Sequence, residues 1–346
     1  MDFRRLSSVP WVRALLSGAG VVLLVQVAAL THPYQGYSDE TVVLIEQGMS
    51  RRAIAGKLTE EGVLHSRWPF LLYAYAQPFR TLKAGEYSFQ TPLSPAGVFR
   101  KLTRAQVRLY TLTIPEGYAL WDVAEEAARL ELASREAFLA AARNPELIAD
   151  LAPEATTLEG YLFPDTYSFA RPADPEAMVR AMVERFRSVY RELEAAAANP
   201  AELSAHELVT LASLVEKETG EADERGLIAS VFYNRLGRNM LLACDPTVIY
   251  AARLEAEGAF DGVINVSDLE LDSPYNTYRR RGLPPGPIAS PGRAALAAAL
   301  SPPESNYLYF VSNTEGGHFF ASTAARHARN VARYRRLRQR QQHSAG

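Results

Sequence analysis

Residues 207–220, ELVTLASLVEKETG, are the most informative stretch of the chain for its fold and its chemistry. Ser204, a residue type that caps helices, precedes this stretch and a glycine ends it, so the pattern predicts a helix. Four apolar residues recur within it at helical spacing and form one stripe: Leu208, Leu211, Ala212 and Val215. We expect this stripe to face the core of a helix-rich domain.

Two glutamates lie near the C-terminal end of this helix, and a helical wheel separates them. Glu218 lies between apolar positions, whereas Glu216 lies on the polar flank. Burial against apolar neighbours raises a carboxyl pKa, which keeps a general acid for glycoside cleavage protonated near neutral pH. Glu218 is therefore the first candidate for such an acid and Glu216 the alternative. A solvated helix end with two surface glutamates would fit the wheel as well.

The composition indicates a globular protein and excludes several classes of function. Of 346 residues, 48% are hydrophobic, and 37 basic against 39 acidic residues give a net charge of −2. Nothing in this balance favours a nucleic-acid partner. The one cysteine, Cys244, excludes an internal disulfide, and no Cys/His group has zinc-site spacing. Hydrolase, zinc-protease, Walker and dinucleotide motifs are missing, so we expect neither a metal nor a cofactor.

The N-terminal segment predicts a membrane anchor over residues 14–31. Three arginines within residues 1–13 precede an apolar run of 17 residues, at the short end of what a helix needs to cross the hydrocarbon. The arginines place residues 1–13 in the cytoplasm and the rest of the chain beyond the inner (cytoplasmic) membrane, in the periplasmic or extracytoplasmic space. A cleaved signal peptide is the alternative. The length of the run and the lack of an Ala-x-Ala site favour a single-pass anchor.

The exported part is expected to be α+β. Residues 38–107 form a small α+β module, with strands at 41–45 and 83–89 and helices at 50–61 and 94–102. Residues 108–335 form a larger, helix-rich domain that opens with a strand at 109–114, and its predicted helices include 121–132, 135–143, 177–198 and 227–236. Asp245 is expected to start a turn. Residues 336–346, rich in Arg and Gln, form a basic tail.

Three irregular segments combine aromatic residues with turn formers or polar side chains: residues 158–167, 273–278 and 282–292. Aromatic side chains in such loops most often pack into the core. The same combination of stacking faces and hydrogen-bond donors also forms binding sites for sugars, and the residues alone leave both interpretations open.

The chain resembles the YceG-like family of endolytic murein transglycosylases, because eight motifs occur in the order of that family. They are TIPEG at 113–117, EGYLFPDTY at 159–167, SLVEKET at 213–219, VFYNRL at 231–236, DPTVIY at 245–250, YNTY at 275–278, GLPPGPI at 282–288 and YLYFV at 307–311. The resemblance implies a single-pass inner-membrane protein in which a LysM-like glycan-binding module at 38–107 precedes the lytic transglycosylase-like catalytic domain. Cys244, just before DPTVIY, departs from the family pattern.

The resemblance also implies a reaction and a place for it. A catalytic glutamate is expected within EKET, and Glu218-Thr219 is the closest match to the Glu-Ser pair of lytic transglycosylases. This enzyme would cleave the MurNAc-GlcNAc bond of nascent strands, leave 1,6-anhydroMurNAc ends and so end strand elongation. Five residues are candidates for positioning the sugars: Tyr233, Asn234, Tyr275, Asn276 and Thr277. Peptidoglycan strands are the expected substrate, and peptidoglycan synthases are candidate partners.

Two other functions remain open from the sequence. A non-catalytic, membrane-anchored peptidoglycan-binding scaffold would have the same anchor and module. A small-molecule lyase of the aminodeoxychorismate type would need a lysine bound to pyridoxal phosphate in a cytosolic fold. An exported chain with a glycan-binding module argues against this second alternative.

Overall fold

The structure, a computed structural model, describes residues 25, 28–197, 203–256, 260, 262 and 265–344. The predicted cytoplasmic residues 1–13 and most of the predicted anchor lie outside this part. Within the described residues, no helix is both long enough and apolar enough to span a bilayer. The chain forms two compact units, one up to Tyr110 together with Ser168–Pro172, the other comprising Thr111–Tyr167 and the chain from Ala173 onward.

The first unit is a two-stranded antiparallel sheet with helices packed on one face. Its elements are β1 (Thr41–Ile45), α1 (Arg51–Glu60), α2 (Arg67–Tyr75), β2 (Gly85–Phe89) and α3 (Pro95–Thr103). Val43 and Ile45 alternate with more exposed residues along β1 and join a separate hydrophobic core with residues of α1, α2 and α3. Ser50 and Ser94 cap α1 and α3, since the side chain of each accepts a hydrogen bond from a backbone N–H in the first turn. The predicted strands and helices of this unit are confirmed, and α2 is an additional helix.

The second unit is helix-rich. Its helices are α4 (Leu120–Arg129), α5 (Arg135–Ala142), α6 (Pro175–Ala196), α7 (Ala205–Glu218), α8 (Arg225–Gly237), α9 (Asp245–Glu255), α10 (Arg293–Leu300) and α11 (Ala324–Ser344). Short 3₁₀ turns occur at Pro145–Ile148, Ala222–Glu224 and Val266–Glu270. β5 (Tyr309–Ser312) pairs antiparallel with β6 (His318–Ala321) in this unit. β3 (Leu109–Thr113) pairs with β4 (Thr166–Ala170), and each of these two strands has residues in both units. The mixed, helix-rich α+β class predicted from the sequence is confirmed.

α7 lies at the centre of the second unit, packed against α8, α9 and α10. Nine of its residues are buried, including an unbroken run from Leu208 to Val215. The predicted helix is confirmed, and its apolar stripe is indeed buried. Its polar flank is not solvated, because neighbouring helices enclose α7 on several sides.

Three other sequence predictions are resolved by the fold. Asp245 does not start an isolated turn but begins α9, with Pro246 in the first helical turn. Tyr161, Leu162 and Phe163 are buried, so this part of the aromatic segment 158–167 packs into the core. A single helix, α11, continues through the predicted start of the basic tail at residue 336.

Candidate active site

The C-terminal end of α7 carries both candidate glutamates. The helix begins with a capping box, in which Ser204 Oγ accepts a hydrogen bond from the Glu207 N–H at 3.2 Å and Glu207 Oε2 accepts one from the Ser204 N–H at 2.8 Å. Glu218 is its last residue, and Thr219 leaves the helical conformation with φ −144° and ψ 137°. Glu218 is therefore held at the end of a rigid, buried helix rather than on a loop.

Four side chains from other elements surround the carboxyl of Glu218: Cys244, Asp245, Arg235 and His318. Burial is the main cause that raises the pKa of Glu218 above its usual range, and the negative charge of Asp245 raises it further. A hydrogen bond from the Cys244 thiol and the positive charges of His318 and Arg235 act in the opposite direction. The result is a carboxyl that binds its proton more tightly than an exposed glutamate does.

Glu216 has a different environment from Glu218, although burial raises its pKa too. Its side chain is only 6% exposed, and its Oε1 lies 3.7 Å from Arg225 Nη2. Its Oε2 accepts a hydrogen bond from the Gly292 N–H at 2.9 Å, at the start of α10. The predicted polar flank of Glu216 is therefore wrong, since α8 and α10 cover this side of α7. Glu216 ties three helices together.

His318 is held in place by Glu224, a residue close to the end of α7 in the chain. His318 Nδ1 lies 2.7 Å from Glu224 Oε2, and the His318 N–H donates a hydrogen bond to Glu224 Oε1 at 2.8 Å. Phe310 packs edge-on against the imidazole, with ring centroids 5.3 Å apart. A Cβ at Gly317 would lie 2.6 Å from Glu224 Oε1, so glycine at this turn of the β5–β6 hairpin leaves room for the Glu224 carboxyl in its present position. These contacts fix the imidazole near Glu218.

The segment that carries Cys244 and Asp245 is also braced. The Cys244 N–H donates a hydrogen bond to Thr277 Oγ1 at 3.0 Å, and Thr277 Oγ1 lies 2.8 Å from Thr247 Oγ1. Asp245 Oδ1 accepts a hydrogen bond from the Tyr278 hydroxyl. Residues from the DPTVIY and YNTY motifs therefore hold each other beside Glu218.

Two further motifs are hydrogen-bonded to side chains of α7. Ser213 Oγ accepts a hydrogen bond from the Ile288 N–H at 3.0 Å, which fixes the GLPPGPI loop. Lys217 Nζ donates to the Gly117 carbonyl at 3.2 Å, in the TIPEG turn. The described residues contain no group of three or more His, Cys, Asp or Glu side chains arranged for a metal ion.

Comparisons with known proteins identify the family of this chain. The family model of the YceG-like family matches residues 43–333. This chain belongs to the YceG-like family. An endolytic murein transglycosylase of Bacillus subtilis strain 168 is 35% identical over 323 residues, 88% of this chain and 88% of that protein. One from Streptococcus pneumoniae D39 is 33% identical over 353 residues, 93% of this chain and 63% of that protein.

A solved structure of the YceG-like family extends the likeness to three dimensions. The crystal structure of a YceG-like protein from Listeria monocytogenes matches with a TM-score of 0.55 and 33% identity, and the match covers 85% of this chain and 99% of that chain. The resemblance inferred from the eight motifs is confirmed.

Of the five residues predicted to position sugars, four already have protein partners for their polar groups. The Tyr233 hydroxyl donates to the Ala299 carbonyl at 2.8 Å, and Asn234 Nδ2 donates to two carbonyls, those of Ser305 and Tyr307, at 2.9 Å each. Asn276 and Thr277 are fully buried. The structure gives these four a supporting role, and sugar contact by any of them stays a prediction.

Tyr275, the fifth candidate, packs against Tyr250. Its ring centroid lies 4.9 Å from that of Tyr250, and burial raises its pKa to about 12. Of the five candidates, only Thr277 is linked to Glu218, through Cys244.

Replacing Asn276 with alanine tests which role this residue has. Its Nδ2 donates to the carbonyls of Leu269 at 3.0 Å and Leu271 at 2.9 Å, and its Oδ1 accepts from the Tyr278 N–H at 3.0 Å. Since the variant leaves these buried groups without partners, we expect it to lower the free energy of unfolding by about 2 kcal/mol. Chemical denaturation measures this change. Unchanged stability with a raised KM for glycan strands would instead favour direct sugar contact.

Three of the residues that surround Glu218 were not predicted as site residues. Asp245 and Arg235 lie in the DPTVIY and VFYNRL motifs and His318 lies outside the eight motifs, and no local pattern indicated that the three meet. The one local signal in the sequence was the pair Gly316-Gly317 before His318, because two consecutive glycines indicate a tight turn. Gly316 does adopt a positive φ of 97° in this turn.

Proposed function

We propose that this chain is an endolytic murein transglycosylase in which Glu218 is the single catalytic acid and base. The activity is the one named for relatives that align over most of the chain. The observation that carries the residue assignment is the carboxyl of Glu218 at the end of α7 within the EKET motif, whose pKa is raised mainly by burial.

The reaction uses Glu218 twice. Protonated Glu218 donates its proton to the oxygen that joins MurNAc C1 to GlcNAc, and the C1–O bond breaks as an oxocarbenium-like centre develops at C1. The Glu218 carboxylate then removes the proton from the MurNAc C6 hydroxyl, whose oxygen bonds to C1 and closes the 1,6-anhydro ring. No water is consumed, and Glu218 ends in its protonated form, ready for another turnover.

Glu218 suits this role better than Glu216 does. Glu216 is committed to Arg225 and to the Gly292 N–H, and its side chain is nearly inaccessible. A proton donor must be free to form a hydrogen bond with its acceptor, which favours Glu218, because its carboxyl has no salt bridge to an arginine of the described residues comparable to that between Glu216 and Arg225. The surrounding charges also fit the two steps, since Asp245 favours the protonated acid and Arg235 and His318 favour the carboxylate.

The location and domain roles are part of the same proposal. Residues 14–31 anchor the chain as a single pass in the inner membrane, residues 1–13 are cytoplasmic, and the catalytic unit acts in the periplasmic or extracytoplasmic space. Residues 38–107 are a LysM-like glycan-binding module, which is consistent with a compact unit that has its own core. Cutting of nascent strands near the membrane ends their elongation, and peptidoglycan synthases are the partners to test.

Product analysis on purified glycan strands tests the function. We expect the full chain to release internal fragments that carry 1,6-anhydroMurNAc ends, identified by mass spectrometry. Reducing MurNAc ends would indicate hydrolysis instead, with Asp245 as a candidate second carboxylate. Strand binding without cleavage would favour the non-catalytic scaffold.

Replacing Asp245 with asparagine is expected to shift the pH profile of cleavage. Asp245 raises the pKa of Glu218 through its negative charge, so its removal lowers that pKa. Protonated Glu218 is then lost at lower pH, and the alkaline limb of kcat/KM moves to lower pH. The profile is measured by anhydro-product release across the pH range.

Two variants control for the loss of the carboxylate. Tyr278→Phe removes the hydrogen bond to Asp245 but keeps the charge, and Asp272→Asn removes an exposed charge paired with Arg280. Both should leave the alkaline limb in place. A shift as large in Asp272→Asn as in Asp245→Asn would show that the effect is not local to Glu218.

A further inference from the structure

Helix α2 presents an unusual apolar face to solvent. Trp68, Leu72 and Tyr75 are 61%, 54% and 60% exposed, and Phe79, in the loop that follows, is 98% exposed. The first three recur at i, i+4 and i+7, so they lie on one face of the helix. Singly scattered surface apolar residues are ordinary, but four large ones on one helix and its following loop indicate an interaction surface.

The opposite face of α2 anchors the helix firmly. Phe70, Leu71 and Ala74 are buried in the core of the first unit. Arg51 holds the following loop, because its guanidinium donates hydrogen bonds to the carbonyls of Ala74, Pro78 and Arg80. The exposed aromatic side chains are therefore presented by a fixed backbone rather than by a chain end.

The charged side chains in the segment that carries this face are all basic. Residues 62–85 contain Arg67, Arg80 and Lys83 and no Asp or Glu. The Arg67 guanidinium lies 5.3 Å from the centroid of the Trp68 ring. Trp and Tyr flanked by basic side chains are the combination found where proteins meet the headgroups of a bilayer, and anionic lipids attract such a surface.

The position of α2 relative to the predicted anchor is also consistent with a bilayer as the partner. An open groove of about 550 Å³ lies between the end of the predicted anchor, at Ala28, Ala29 and His32, and the start of α2, at Ser66 and Pro69. The Tyr34 N–H also donates to the Leu93 carbonyl at 3.1 Å, which ties the chain to the first unit soon after the anchor. A bilayer that holds residues 14–31 would thus lie close to α2.

We propose that the exposed face of α2, formed by Trp68, Leu72, Tyr75 and Phe79, binds the surface of an anionic phospholipid bilayer. This proposal rests on the membrane anchor proposed above and adds a second contact with the same bilayer. The aromatic rings enter the headgroup region, and Arg67, Arg80 and Lys83 contact lipid phosphates. A neutral glycan would use the aromatic rings but would gain nothing from the basic residues around them.

Tryptophan fluorescence of the full chain in vesicles tests the proposal. Trp11→Phe and Trp121→Phe leave Trp68 as the single tryptophan. The vesicles contain phosphatidylglycerol and lipids brominated near the headgroup end of their acyl chains. We expect bromine quenching of Trp68 to be about threefold stronger than that of a tryptophan outside the face, with weaker quenching of Trp68 by aqueous acrylamide.

The matched control carries its only tryptophan elsewhere on the same unit. Val42→Trp combined with Trp68→Phe in the same background places it on β1, on the sheet face away from the helices. Should these combined replacements disturb folding, Trp68→Ser in the otherwise unaltered chain is measured instead. It should reduce the total bromine quenching relative to the unaltered chain.

The possible outcomes distinguish the proposal for α2 from the proposal that residues 14–31 anchor the chain. If the full chain floats with vesicles but Trp68 is quenched no more than the Val42→Trp probe, the α2 proposal is overturned and the anchor stands. If the chain does not float with vesicles, both are overturned. Equal quenching of Trp68 in phosphatidylcholine vesicles overturns the role of anionic lipid. Protection of Trp68 from acrylamide by N-acetylglucosamine oligomers, without bromine quenching, assigns the face to glycan.

Discussion

The Glu218→Gln variant is expected to release anhydro-ended fragments from glycan strands at least about 10³-fold more slowly than the unaltered chain, a loss of roughly 4 kcal/mol of transition-state stabilisation. Glutamine has nearly the same shape but can neither donate the proton to the glycosidic oxygen nor remove the one on the C6 hydroxyl. Both halves of the reaction therefore fail together. The rate is measured by mass spectrometry of products from purified strands, with strand binding measured in parallel to show that the site remains intact.

Glu216→Gln is the matched control for this experiment, because it makes the same change two residues away on the same helix. Glutamine can still accept the hydrogen bond from the Gly292 N–H but leaves the buried Arg225 without this charge. We expect lower stability, by about 1–3 kcal/mol, and cleavage within about tenfold of the unaltered rate. The reverse pattern, with Glu216→Gln inactive and Glu218→Gln active, would move the catalytic role to Glu216.

Local sequence patterns predicted the supporting helix well. Ser204 caps α7 as expected, and the apolar stripe of α7 is buried. These features depend on residues within one or two turns of each other, which is why a single sequence contains them. The helical wheel also ranked Glu218 above Glu216 as the candidate acid, but only one of its two assumptions holds. It treated the Glu216 side as solvated, whereas α10 and Arg225 close over it.

The surroundings of Glu218 could not be predicted because they are assembled from distant parts of the chain. Arg235 comes from α8, Asp245 from the start of α9 and His318 from β6, and only the fold brings them to one carboxyl. The sugar candidates were chosen by residue type and motif, which does not show where a side chain points. Asn234 and Asn276 illustrate this, since their amides stabilise loops in the structure.

The EGYLFPDTY segment contains another buried carboxyl, that of Glu159, which the proposed reaction does not use. Glu159 is 3% exposed, and its Oε2 accepts hydrogen bonds from the Leu120 N–H and the Tyr250 hydroxyl, each at 3.2 Å. Its Oε1 has no hydrogen-bond partner among the described residues. Burial raises the pKa of Glu159 to about 8, and the negative charge of Asp122 adds to this rise. The folded protein therefore binds this proton far more tightly than the unfolded chain does.

The Glu159→Gln variant is expected to remove a pH dependence of stability that this carboxyl causes. Between about pH 4.5 and about 8, folded Glu159 keeps its proton while the unfolded residue loses it, so the stability of the unaltered chain falls as pH rises. Glutamine resembles the protonated acid at every pH and can place its NH₂ at the unpartnered Oε1 position. The two proteins should unfold alike near pH 4.5, whereas at pH 9 the variant should be more stable by on the order of 4 kcal/mol. Urea unfolding of both chains at several pH values measures this difference, with Glu154→Gln as a nearby exposed control. A difference that stays constant with pH would mean that Glu159 is ionised in the folded protein.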